Sequence, residues 1–189
     1  IRRLQITSHV LHVATFTIAV GGALLITGVT TRTLVAGGVT LVGVLLGLTL
    51  RIPFRGPAWR FALPLGGGIA LYTVAIVLTG GVTSTFTLLP VATIFLAAAG
   101  GSLRYALPTT AASIAGIFAA AVVAGISDDP TALIRIPAIY AIIAVAFSEI
   151  QEALTSETER AQALLLAMDT VQSRRARLTA THSLLSDLA

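Results

Sequence analysis

Few residues in this sequence have side chains able to carry chemistry. There are 3 histidines, 12 basic residues, all arginine, and 8 acidic ones, with no cysteine. His9 and His12 stand one helical turn apart, a spacing that lets two imidazoles share a metal or, with facing helices, a haem. No carboxylate or thiolate lies near them to complete such a site, so a structural or interfacial role accounts for them as well. His182 has the side chain of a phosphoacceptor, but Thr181-His182-Ser183-Leu184-Leu185 lacks the following acid and proline-containing element of a kinase histidine box. Arg135 stands close to the start of an apolar stretch. A charge inside a membrane is a functional candidate, while snorkelling or pairing with Asp128 or Asp129 explains it equally. No Asp or Glu precedes Asp128, which argues against a carboxylate pathway for coupled protons. With no phosphate loop, catalytic triad or paired carboxylates, we assign no catalytic residue and no metal ligand.

A different constellation stands out at Thr79-Gly80-Gly81-Val82-Thr83-Ser84-Thr85-Phe86. It interrupts an uncharged run of 43 residues from Phe61 to Leu103. A bilayer crossing takes about 20 apolar residues, so this run predicts two crossings with a hairpin tip between them. Gly80 and Gly81 permit a tight reversal because glycine tolerates positive φ. Gly80, Gly81, Ser84 and Phe86, with Tyr72 on the preceding span, form the candidate ligand-binding set. An aromatic face at the lipid boundary stacks on a ring, exposed glycine backbone lets it approach, and a hydroxyl donates to a carbonyl. A membrane quinone fits these contacts, and so does a plain interfacial turn.

The elements that must position these residues are membrane spans. The chain has 189 residues, 56% hydrophobic and 11% charged, against about 25% charged in soluble domains. The pattern predicts an all-α membrane protein with six spans: 9–29, 34–50, 61–78, 86–99, 108–126 and 131–147. Arg2, Arg3, Arg51, Arg55, Arg60 and Arg104 flank one face, whereas only Arg32 and Arg135 lie near the other. The positive-inside rule then makes both termini cytoplasmic and the glycine loop external. Trp59 fits an interfacial belt. The net charge of +4 reflects these boundary arginines and gives no reason to expect nucleic acid.

From Ser148 onward the composition becomes polar, without Gly or Pro, which predicts a helix continuing out of the sixth span. The expected division is 1–148 for the bundle and 149–189 for the cytoplasmic helix. Leu164, Val171, Leu178 and Leu185 recur every seven residues. Leu154, Ala161, Met168, Arg175, His182 and Ala189 form a second such row. Together they outline the seam of a parallel coiled coil, hence a homodimer. The alternative is a lone amphipathic helix on the membrane surface. Because the helical pattern persists to Ala189, we expect an effector domain beyond it.

The loop and its flanking spans resemble the six-span sensor domains of bacterial histidine kinases of the RegB and PilS kind, which also precede diguanylate cyclases. Those domains carry Gly-Gly-x-x-Asn-Pro-Phe, or Thr-Gly-Gly-x-x-Ser-Pro-Phe, between the third and fourth spans. Thr79, Gly80, Gly81, Ser84 and Phe86 match the second form, and Thr85 replaces its proline. Leu88-Leu89-Pro90 and Gly100-Gly101-Ser102-Leu103-Arg104 are also similar. The resemblance covers about residues 60–125. It implies a sensor in a bacterial inner membrane, a two-component system, signal transduction through a dimeric coil, and a quinone as ligand. Two other classes stay open: a substrate-binding membrane subunit of a small-molecule transporter, and a structural subunit of a membrane complex.

Overall fold

The computed structural model describes residues 2–51, 54, 59–101, 103–124 and 131–186, with side chains from 5 to 175. Its elements are α1 (Arg2–Thr27), α2 (Thr31–Thr49), α3 (Trp59–Leu78), two single 3₁₀ turns (Gly81–Thr83 and Thr85–Leu88), α4 (Leu89–Gly101), α5 (Leu103–Ala124) and α6 (Ala132–Ser186). The chain divides into two units, 1–151 and 152–189. There is no strand among the described residues.

Within the first unit, α1 packs on α2, α2 on α3, α3 on α5, α5 on α4, and α4 back on α1. This closes a ring of five helices. Helix α6 joins it through Phe147, whose ring meets Phe95 of α4 edge-on at 4.6 Å. Tyr140, Ala144 and Ser148 of α6 are buried, and their spacing of four residues places them on one face of a helix. The outward surface is apolar: Leu25 is 90% exposed and Val122 82%. Such a surface suits contact with an apolar medium such as lipid. Accordingly α1, α2, α3, α5 and the first part of α6 are long and apolar enough to cross a membrane.

Helix α4 is the exception. The sequence pattern places a span at 86–99, but the helix proper begins at Leu89, after two 3₁₀ turns, and has 13 residues. At 1.5 Å per residue that is about 20 Å, short of a hydrocarbon core of about 30 Å. Eleven of its residues, from Leu89 to Gly100, are buried. The neighbouring helices therefore enclose it, and its length need not match a bilayer thickness. Non-helical backbone beside it is tolerated for the same reason.

Two helix starts lie well before the expected ones. Helix α1 begins at Arg2 rather than near His9, and α5 begins at Leu103, so Pro108 lies inside it. The expected polar turn at Ser127, Asp128, Asp129 and Pro130 lies outside the described residues.

Between α2 and α3, Phe54 packs against the end of α4 and the start of α3. Its N–H donates to the Gly100 carbonyl at the end of α4 at 2.8 Å. Its ring stacks on Phe61 at 4.5 Å and meets Tyr105 edge-on at 5.2 Å. A Cβ at Gly100 would lie 2.5 Å from that ring, so glycine is what lets the Phe54 ring seat there.

In the second unit, α6 continues without a break to Ser186. Leu154, Leu164, Met168 and Val171 are 49–66% exposed, and Ala161 is exposed. The side chains of Leu178, His182 and Leu185 lie outside the described residues.

Candidate functional site in the glycine loop

The loop after α3 is built by two left-handed glycines and a set of hydroxyls. Gly80 has φ +109 and Gly81 φ +68, conformations that cost other residues about 1 kcal/mol or more. Together they reverse the chain at the end of α3. Gly81 also lies against α5, where an added Cβ would stand 3.1 Å from the Ala124 Cβ. The Ser84 N–H then closes the first 3₁₀ turn on the Gly81 carbonyl at 3.0 Å.

Ser84 is the hub of the loop. Its Oγ accepts the Phe86 N–H at 3.2 Å and pairs with Thr79 Oγ1 at 2.5 Å. Its carbonyl accepts the Thr87 N–H and hydroxyl. Thr79 Oγ1 also bonds the Ala75 carbonyl at 2.7 Å. Thr85 reaches across to α1, where its hydroxyl donates to the Ala19 carbonyl at 2.7 Å. The Thr85 methyl sits where a Cβ at Gly22 would be, 2.9 Å away. The residue that departs from the sensor-kinase pattern thus makes a contact that proline, with no donor, cannot make.

The structure distributes the sequence-predicted set as follows. Gly80, Gly81 and Ser84 shape the loop itself. Phe86 is not at the lipid boundary: it is fully buried in the main core, packed inward by the turn that Ser84 caps. Its ring faces are covered, so stacking on an incoming ring is not open to it here. Tyr72 is also buried in that core, packed on Gly43 of α2 and hydrogen-bonded to the Thr93 side chain. It lies two helical turns from the loop along α3. The five residues therefore do not line one cavity.

Open space lies beside them instead. A crevice of about 30 Å³ is lined by Ala23, Thr27, Thr79, Thr83, Ser84 and Thr85, room for about one water. Next to it a cleft of about 270 Å³ is bounded by Thr27, Thr30, Arg32, Thr33, Thr79 and Gly80. Thr27, Thr30 and Thr33 are joined by hydroxyl–hydroxyl hydrogen bonds of 3.1 and 2.7 Å. The sequence signal for this cleft was the threonine run Thr27, Thr30, Thr31 and Thr33. It reads as a short turn until the fold brings it against Thr79.

His9 and His12 do not converge. Gln5 Nε2 is 2.7 Å from His9 Nε2 and 2.7 Å from the Leu50 carbonyl. His12 is buried, with Nδ1 2.9 Å from the Ser8 carbonyl, and a Cβ at Gly47 would stand 2.8 Å from its Nε2. Its ring fills a notch in α2. Among the described residues no group of three or more His, Cys, Asp or Glu could hold a metal. No protein-family model matches the chain, and no curated protein and no solved structure matches it either.

Proposed function

We propose that the chain is the membrane sensor and signal-transmission part of a bacterial receptor. Its output domain, a histidine kinase or a diguanylate cyclase, is reached through α6. The observation that carries this reading is α6 itself: one helix of 55 residues supplies a buried face to the first unit and exposed apolar residues to the second. A shift of α6 among its neighbours in the first unit is then passed on along the helix. The exposed row of Leu154, Leu164, Met168 and Val171 is suited to a parallel homodimer, in which two arrangements of the coil form the bistable element. In this reading the protein lies in the inner membrane with both termini cytoplasmic, an orientation that the arginine asymmetry favours.

The stimulus enters at the outer loop. Because Phe86 is covered, a lipophilic ligand of the quinone class approaches the open side, at Thr27, Thr79 and Gly80. It shifts the equilibrium only by its differential affinity for the two states. The test is a fusion of this chain to a heterologous histidine-kinase core in membranes, with autophosphorylation followed while the quinone pool is reduced or oxidised. Phosphorylation that changes with the pool, and stops changing when four residues are inserted in α6 near Glu157, is the expected result. Constant output in the parent fusion would remove the sensor reading.

A further inference from the structure

A hydroxyl has one proton to give and two lone pairs with which to accept. Around the glycine loop the contacts are close enough for each of those protons to be traced.

Beside α1 and α2, three contacts join three hydroxyls. Thr27 Oγ1 lies 2.8 Å from the Ala23 carbonyl and 3.1 Å from Thr33 Oγ1, and Thr30 Oγ1 lies 2.7 Å from Thr33 Oγ1. A carbonyl only accepts, so the Thr27 proton goes to Ala23. The Thr33 proton must then make the contact with Thr27, and the Thr30 proton the contact with Thr33. No other assignment fills all three. At the end of α3, Thr79 gives its proton to the Ala75 carbonyl at 2.7 Å, so Ser84 supplies the proton shared with Thr79. The Thr83 proton goes to the Gly80 carbonyl at 3.1 Å. Every one of these hydroxyls is spent as a donor.

What remains to them is acceptance. Thr27 Oγ1 receives from Thr33 and Thr79 Oγ1 from Ser84, which leaves each with one lone pair. Both residues line the crevice and the cleft of about 270 Å³ beside it. Arg32, which is exposed, lines the same cleft, and a guanidinium donates only. An oxygen atom that carries a proton suits both walls: it gives that proton to a threonine and accepts from Arg32. A carbonyl oxygen accepts from Arg32 alone and sets its lone pairs against those of the threonines.

We propose that the cleft selects the reduced form of its ligand; this rests on the reading that a ligand of the quinone class enters here. A quinol hydroxyl donates to Thr27 or Thr79, and the quinone has no proton to offer them. The redox state of the pool is then read as the presence or absence of a hydrogen-bond donor. No bond is made or broken in the ligand.

Equilibrium binding of the full chain in nanodiscs tests this, with partition into empty nanodiscs subtracted. The probes are a short-chain benzoquinone, its quinol kept reduced under argon, and the dimethyl ether of that quinol, which has the shape and no donor. The quinol should bind more tightly than either of the others by roughly fivefold or more, the worth of one net hydrogen bond. Thr27→Val removes an acceptor and also frees the Thr33 proton, so the preference should vanish or reverse. Thr27→Ser should keep it. Thr79→Val frees the Ser84 proton in the same way and serves if the first variant misfolds. Thr17→Val, on an exposed turn of α1 outside the cleft, should leave the preference unchanged. Equal binding of quinol and quinone, equal binding of quinol and ether, a preference that survives both cleft variants, or an equal loss in Thr17→Val would overturn the proposal. The measurement needs no kinase, so the two readings fail separately. A fusion that follows the pool while the isolated chain favours the quinone overturns the donor selection alone. A silent fusion beside a clear quinol preference overturns the sensor alone.

Discussion

The hydroxyl of Tyr140, buried on α6, donates to the backbone carbonyl of Thr87, in the 3₁₀ turn that follows the glycine loop. This bond ties the helix that leaves the bundle to the turn that Ser84 organises. Tyr140→Phe keeps the ring and removes the bond. A buried hydrogen bond contributes about 1 kcal/mol net, so the variant should unfold at lower denaturant by that amount in a detergent titration. In the kinase fusion it should also reduce the amplitude of the response to the quinone pool. A variant less stable yet fully responsive would show that coupling does not pass through Tyr140.

Two glycines of this glycine-rich chain make opposite predictions. A Cβ at Gly43 would fall 2.6 Å from Cε1 of the buried Tyr72 ring, at the packed face between α2 and α3. Gly43→Ala should therefore force the helices apart and lower the unfolding temperature. Gly66 has open space around it, and alanine is favoured over glycine in a helix by about 1 kcal/mol. Gly66→Ala should leave the unfolding temperature unchanged or raise it. Circular dichroism of both variants in detergent checks the contrast.

The contrast also shows what the sequence conceals. Charge, hydropathy and the 3.6-residue period locate five long apolar helices and the polar end of α6, because those features act locally. Which glycines are packed is a tertiary fact, and nothing around Gly43 or Gly66 in sequence separates them. The same holds for Phe86. An aromatic residue after a polar loop reads as interfacial, yet the Ser84 cap turns the chain inward and covers the ring. Helix α4 looks like a full span by composition, and only its burial on all sides explains why 13 residues suffice.

The exposed row on α6 predicts association. Leu164 is 66% exposed and Val171 56%, and large apolar side chains in a heptad row are stabilised by burial against a second copy. Leu164→Asp with Leu178→Asp should convert dimers of the full chain in detergent to monomers by sedimentation. The far-ultraviolet spectrum should stay helical. Unchanged sedimentation would mean that the first unit, or no seam at all, sets the oligomeric state.

The membrane orientation is open to a direct test, and the fold decides which residues can report it. Ser84 belongs to the loop, but it is only 6% exposed and its hydroxyl is engaged by Thr79 and Phe86. A cysteine there would fail to react for reasons unrelated to sidedness. Thr83 is exposed one residue earlier, and its hydroxyl bonds only the nearby Gly80 carbonyl. Arg51 is exposed just after α2. Helix α3, whose 20 residues rise about 30 Å, separates the two positions by one hydrocarbon thickness. With the arginine-rich end cytoplasmic, Thr83→Cys should react with an impermeant maleimide applied to intact cells, and Arg51→Cys should react only after the membrane is opened. The chain has no native cysteine to confuse the result. Reaction of both positions from the same side would sink the crossing by α3, and the reverse pattern would invert the orientation.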